Sequence, residues 1–111
     1  MKPQELLDLL GTPGHCFADT LSFIDSYYLY QPSGFDNGPV RNNAGENQGS
    51  CKVLAMALDL GLNDLQTLQC FAEHYQSVLA SPDGHDHANI RALCDHGLAA
   101  VTFDSSPLIR R

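Results

Sequence analysis

Val53-Leu54-Ala55-Met56-Ala57-Leu58-Asp59-Leu60, preceded by Ser50-Cys51-Lys52 and closed by Gly61, reads as a helix with almost no polar side. Only Lys52 and Asp59 interrupt the apolar surface, and a helix that is apolar on most sides is buried on most sides. Ser50 is a suitable N-cap and Gly61 a suitable stop, so the expected span is Cys51–Leu60. The rest of the chain is then expected to wrap around this helix.

Upstream, Pro3–Leu10 forms a short helix ended by Gly11. Thr12-Pro13 opens a longer one, Pro13 to Tyr30, with Phe17, Leu21, Ile24 and Tyr28 in one stripe. Downstream, Asn63-Asp64-Leu65-Gln66 resembles a capping box and starts a helix over Asp64–Leu79, antiparallel to the central one. A last helix covers Asp86–His96 and stops at Gly97. Residues 31–50 break the periodicity. There Asn37-Gly38 favours a tight turn between Phe35 and Val40, although Pro39 would remove a ladder donor. The expected fold is therefore mainly α: a bundle of about five helices in a single domain, residues 1–111, around the central buried helix. It leaves room for a very small β element joining Phe35–Val40 to Ala100–Phe103.

The chain has 111 residues and a formal charge of −7. Residues 1–50 carry six acids and two bases, and residues 51–111 seven and four, so the acidity is spread along the chain. Such a surface repels phosphate backbones and anionic lipids, which argues against nucleic-acid and membrane partners. No apolar run approaches the ~20 residues of a membrane span, and the start lacks the apolar core of a secretory leader. Cys16, Cys51, Cys70 and Cys94 follow no disulfide or C-x-x-C pattern and read as reduced cytosolic thiols.

Chemistry is best placed where Asn42-Asn43-Ala44-Gly45-Glu46-Asn47-Gln48-Gly49-Ser50 enters the central helix. A helix start offers unpaired N–H groups and the positive end of a dipole, which suits an anion. Glu46, Asn47, Gln48 and Ser50 add directional polar groups. The plainer reading is that they satisfy the loop's own backbone and cap the helix. Cys51 stands where the dipole can activate a thiol, and a hydrolase would pair it with His74 or His87 as base. Glu46, Asn47 or Asn89 would orient that base. An inert half-buried thiol is the plainer reading. Cys70 and His74 lie one turn apart, beside Glu73 and near His85-Asp86-His87. The paired spacings that make a zinc site specific are absent, so no metal or cofactor is expected. Asp86 is suited to cap the last helix. Arg91 serves either an internal ion pair with another helix or a ligand clamp. No residue in this set is assigned a catalytic role.

The chain resembles the HopJ type III effector protein family. The resemblance is carried by Asp19-Thr20-Leu21-Ser22-Phe23-Ile24-Asp25, Ala44-Gly45-Glu46-Asn47-Gln48-Gly49-Ser50-Cys51-Lys52, Cys70-Phe71-Ala72-Glu73-His74-Tyr75 and Asp86-His87-Ala88-Asn89-Ile90-Arg91. It runs over about residues 15 to 103, and Gly-Glu-Asn-Gln-Gly-Ser-Cys is its most specific part. The family name implies a protein of the bacterial cytoplasm delivered into a host cell by type III secretion; it implies no reaction.

Two functions fit these observations. One is a non-enzymatic domain that binds a protein, from the host or from the secretion apparatus. The other is a small-molecule-binding or cysteine-dependent hydrolytic domain centred on Glu46–Cys51. A dimeric secretion chaperone ranks third, because one core consumes the apolar stripes.

Overall fold

The computed structural model describes residues 2–111. Six α-helices and five short strands follow one another along it: α1 Pro3–Leu9, α2 Phe17–Tyr27, β1 Tyr28–Tyr30, β2 Phe35–Asn37, β3 Val40–Asn42, α3 Gln48–Leu60, α4 Asp64–Cys70, α5 Glu73–Ala80, α6 Ala88–His96, β4 Val101–Phe103 and β5 Leu108–Arg110, with one 3₁₀ turn at Leu98–Ala100. The fold is mixed α/β, which corrects the expectation of a mainly α bundle with a very small β element. Two antiparallel sheets are present, β1-β5 and β3-β2-β4.

The pairing of Phe35–Asn37 with Val101–Phe103 exists, with Phe35 opposite Phe103 and Asn37 opposite Val101. Gly38 and Pro39 form the turn to β3, so the proline costs the ladder no donor. Missing from the sequence reading is the β1-β5 ribbon. Tyr28 keeps its place in the apolar stripe and is buried, but its backbone is extended at φ −127°, ψ 154°. Tyr-Leu-Tyr favours a strand, and Pro32 holds the chain extended just beyond. Its partner, Leu108–Arg110, is far away in sequence, where local periodicity has no reach. Tyr28 Oη and Arg110 Nε then donate to Asp59 Oδ2, at 2.6 and 2.9 Å, tying the ribbon to α3.

The helix expected over Asp64–Leu79 is two helices, α4 and α5. An unbroken helix would bond the Cys70 carbonyl to the His74 N–H. Instead Thr20 Oγ1 donates to that carbonyl at 2.8 Å, and His74 bonds Phe71. Phe71 is buried against Phe17, and Ala72 is forced to φ 49°, ψ −118°. Cys70 is consequently a core residue rather than a neighbour of His74 on an open face. Leu65 on α4, Leu79 on α5 and Cys94 on α6 are exposed. Helix α2 begins at Phe17 rather than Pro13, because Cys16 and Asp19 form its capping box.

Helix α3 supplies the middle of the core. Val53, Leu54, Met56 and Ala57 are wholly enclosed by Leu6, Phe23, Ile24, Phe35, Ile90, Leu93 and their neighbours. Each such aliphatic or aromatic side chain contributes about 1.5–3 kcal/mol through burial. The N-terminal end of α3 is thereby fixed against the sheet and α6.

Candidate functional site

Helices α3 and α6 both begin at the rim of one cleft of about 320 Å³, which Phe17 and Phe71 wall on another side. Neither start is conventional. An ordinary N-cap is extended and turns its side chain onto the first free N–H groups. Here Asn47 and His87 occupy the N-cap positions in the left-handed conformation, at φ 48° and 51°, and neither side chain caps its helix. The first backbone bonds run from Cys51 to Asn47 and from Arg91 to His87. Among the described residues, the N–H groups of Gln48, Gly49, Ser50, Ala88, Asn89 and Ile90 have no acceptor. Five of these six residues, all but Gln48, line the opening, beside two positive dipole ends.

What holds the Asn47 side chain away from its helix is an asparagine network. Asn47 Nδ2 donates to Asn42 Oδ1 at 2.7 Å. Asn42 and Asn89 exchange a reciprocal amide pair, 2.9 and 3.1 Å, and Asn37 Nδ2 reaches the Asn89 carbonyl and Oδ1 at 2.9 and 3.1 Å. Asn37, Asn42 and Asn89 are all buried. Such a network fixes the hairpin, the α3 start and the α6 start in one arrangement.

Two imidazoles complete the cleft. His74 comes from the first turn of α5 and lies 5.1 Å, centroid to centroid, from His87. The Phe17 ring meets His74 edge-on at 4.9 Å. Gly49 allows that ring to close in, since a Cβ there would stand 3.1 Å from Phe17 Cζ. Among the described residues, the non-glycine positions with positive φ are Asn47, His87 and Ala72, the last lying between Phe71 and His74. Strain of this kind, about 1–3 kcal/mol per residue, persists only where the surroundings impose it.

Of the polar residues singled out in the sequence, the structure brings Asn47, Ser50, His74, His87 and Asn89 to this cleft. The others lie elsewhere. Glu46 is exposed and accepts from the Asn43 N–H at 2.7 Å within its own turn. Gln48 is exposed and does not line the cleft, and Ser50 lies in the first turn of α3 rather than at the cap. Cys51 faces the core, where burial pushes its thiol pKa up and Sγ contacts the Ser33 carbonyl. The helix dipole therefore does not activate it. Glu73 turns to the other side of α5, where the Phe17 N–H, at 2.6 Å, holds its carboxyl below the usual range. Arg91 binds Asp86 Oδ1 at 2.7 Å and the Ser81 carbonyl at 2.9 Å. It fastens the loop before α6, and it holds the Asp86 carboxyl low. Asp86 belongs to that same loop, not to another helix, and the cap is His87. Phe17, Phe71, Asn37 and Asn42 were not singled out. Asn42 stood in the polar run and Asn37 in the turn signal, but neither pattern shows a residue turned inward.

The profile of the family described as HopJ type III effector protein matches residues 4–108, nearly the whole chain. The chain belongs to the HopJ family. A crystal structure of a protein of unknown function, VPA0580, is similar to this HopJ chain at 36% identity and a TM-score of 0.93. The alignment covers 100% of this chain and 95% of that one. No curated protein matches it. None of the helices among the described residues is long and apolar enough to cross a membrane.

Proposed function

We propose that this HopJ protein binds a small oxyanion, a phosphate or carboxylate group of a metabolite, in the cleft between α3 and α6. One observation carries the reading: two helix starts without side-chain caps open onto the same space, with two imidazoles in contact beside them. Backbone N–H groups at a helix start bind oxyanions without carrying a full charge. That matters in a chain of net charge −7, where long-range attraction of anions is unfavourable. Each helix end contributes about 0.3–2 kcal/mol, so two ends and a few hydrogen bonds suit a bare phosphate affinity near the millimolar range. A larger metabolite gains further contacts from Phe17 and Phe71.

The domain acts by binding. The cysteine-hydrolase alternative has little support, because Cys51 does not line the cleft that the histidines line and burial raises its pKa. The family description supports a second proposal, that the protein serves as a type III effector and reaches its ligand or partner inside a host cell. A translocation reporter fused to the chain tests delivery independently of ligand binding.

Calorimetric titration with inorganic phosphate, at fixed ionic strength maintained by chloride, tests the cleft. Saturable one-to-one binding is expected, weakened roughly tenfold in the His74→Ala/His87→Ala double variant through loss of the imidazole donors. Heat no different from the chloride control would dismiss the reading.

A further inference from the structure

A second and larger cavity, about 460 Å³, lies across α5 from the first. Thr12, His15, Gln69, Glu73, Tyr75 and Gln76 are among its walls, and neither lysine nor arginine lines it. The key residue is His15, which is only 9% exposed. Its Nε2 lies 2.8 Å from Thr20 Oγ1, and the Thr20 hydroxyl donates its single proton to the Cys70 carbonyl. Thr20 must therefore accept from His15, so Nε2 carries the ring proton. Nδ1 of the neutral ring is then a bare lone pair. It has no donor among the described residues, yet it is not one of the fully enclosed unpaired polar atoms. With His15 lining the cavity, this accessible nitrogen is available to a ligand there.

The surroundings are electronegative. Burial lowers the His15 pKa and favours the neutral ring, while the negative charges of Asp19 and Glu73 act on it in the opposite sense. The Glu73 carboxylate holds the Phe17 N–H with one oxygen and retains lone pairs for another donor. Tyr75 adds an aromatic wall, and Gln69, Gln76 and Thr12 add neutral acceptors.

We propose that this cavity binds a small organic cation with N–H donors, a primary ammonium or a guanidinium, using His15 Nδ1 and the Glu73 carboxylate as acceptors. The site is distinct from the oxyanion cleft and does not depend on it. It explains why a histidine is buried with one nitrogen satisfied and the other open. It also gives Glu73 a use on the face of α5 turned away from His74.

Titration of the ¹⁵N-labelled protein with methylguanidinium chloride, against sodium chloride at equal ionic strength, tests the proposal. Saturable shifts are expected at His15, Gln69 and Gln76, and the imidazole nitrogens of His15 should show the Nε2–H tautomer. Glu73→Gln keeps an oxygen for the Phe17 N–H but removes the charge, and should weaken binding roughly tenfold. Gln76→Trp, at an exposed position on the rim, should block the cavity in a folded protein. Shifts that rise linearly without saturating would overturn the proposal. So would an Nδ1–H tautomer, equal binding in Glu73→Gln, or shifts confined to His74, His87 and Ser50.

Discussion

Helices α2 and α4 are closed at their starts, whereas α3 and α6 are open. Cys16 and Asn63 stand in extended conformations and form capping boxes with Asp19 and Gln66. The Phe17 N–H of α2 is taken as well, by Glu73 from α5. At α3 and α6 the cap residues are left-handed, without side-chain caps, and all but Gln48 of the residues with free N–H groups line a shared cleft. One chain thus treats the same backbone problem in two ways. Closed starts serve stability. Open ones, beside strained residues and a buried asparagine network, keep donors free for the oxyanion that we propose binds there.

The network behind the open starts should be the costliest part to break. Asn42→Ala removes the acceptor of both Asn47 and Asn89 and leaves buried amides unpaired. A loss of about 2–4 kcal/mol in chemical denaturation is expected. Strain at the α4–α5 junction should show with the opposite sign. Ala72→Gly relieves a backbone at φ 49°, ψ −118° and should stabilise by about 1–2 kcal/mol in the same measurement. Asn63→Ala at a closed start should cost about 1 kcal/mol, the ordinary value of a cap. His87→Gly should shift stability by less than about 1 kcal/mol, because glycine accepts the left-handed conformation. It should nevertheless weaken phosphate binding measured by calorimetry.

A pH titration of stability sharpens the contrast further. The folded Glu73 pKa lies below its ordinary value, chiefly because the Phe17 N–H donates to the carboxylate. Its contribution is therefore complete above the unfolded glutamate value of about 4.3 and is lost as pH falls through the lower folded value. Glu73→Gln should flatten the acid limb of the denaturation profile and leave the open starts unaffected.

Much of this architecture was legible in the sequence, for specific reasons. The interior helix α3 followed from an apolar run with a two-residue polar strip, the β2-β3 hairpin from Asn37-Gly38 between Phe35 and Val40, and the strand paired with it from the short run Ala100–Phe103. The α4–α5 break was not legible, since it depends on the Thr20 hydroxyl capturing a carbonyl 50 positions away. Nor was the β1-β5 ribbon, whose first strand continues a helical stripe until Leu108–Arg110 pairs with it. At the cleft, the polar run before α3 pointed to Asn47 and Ser50 through the helix-start argument. That argument also took in Cys51 and Gln48, because composition does not say which side of a first turn faces inward. The bond between Arg91 and Asp86 depended on a loop path, and the left-handed caps had only a weak marker, the greater tolerance of asparagine and histidine for positive φ.

The account rests on the α3 and α6 starts acting together, and amide-resolved ¹H–¹⁵N titration with inorganic phosphate tests this most directly. The amides of Gly49, Ser50, Ala88, Asn89 and Ile90 should move along one shared saturation curve, while those at the starts of α2 and α4 stay still. Unequal curves for the two open helices, or movement spread evenly over all helix starts, would contradict it.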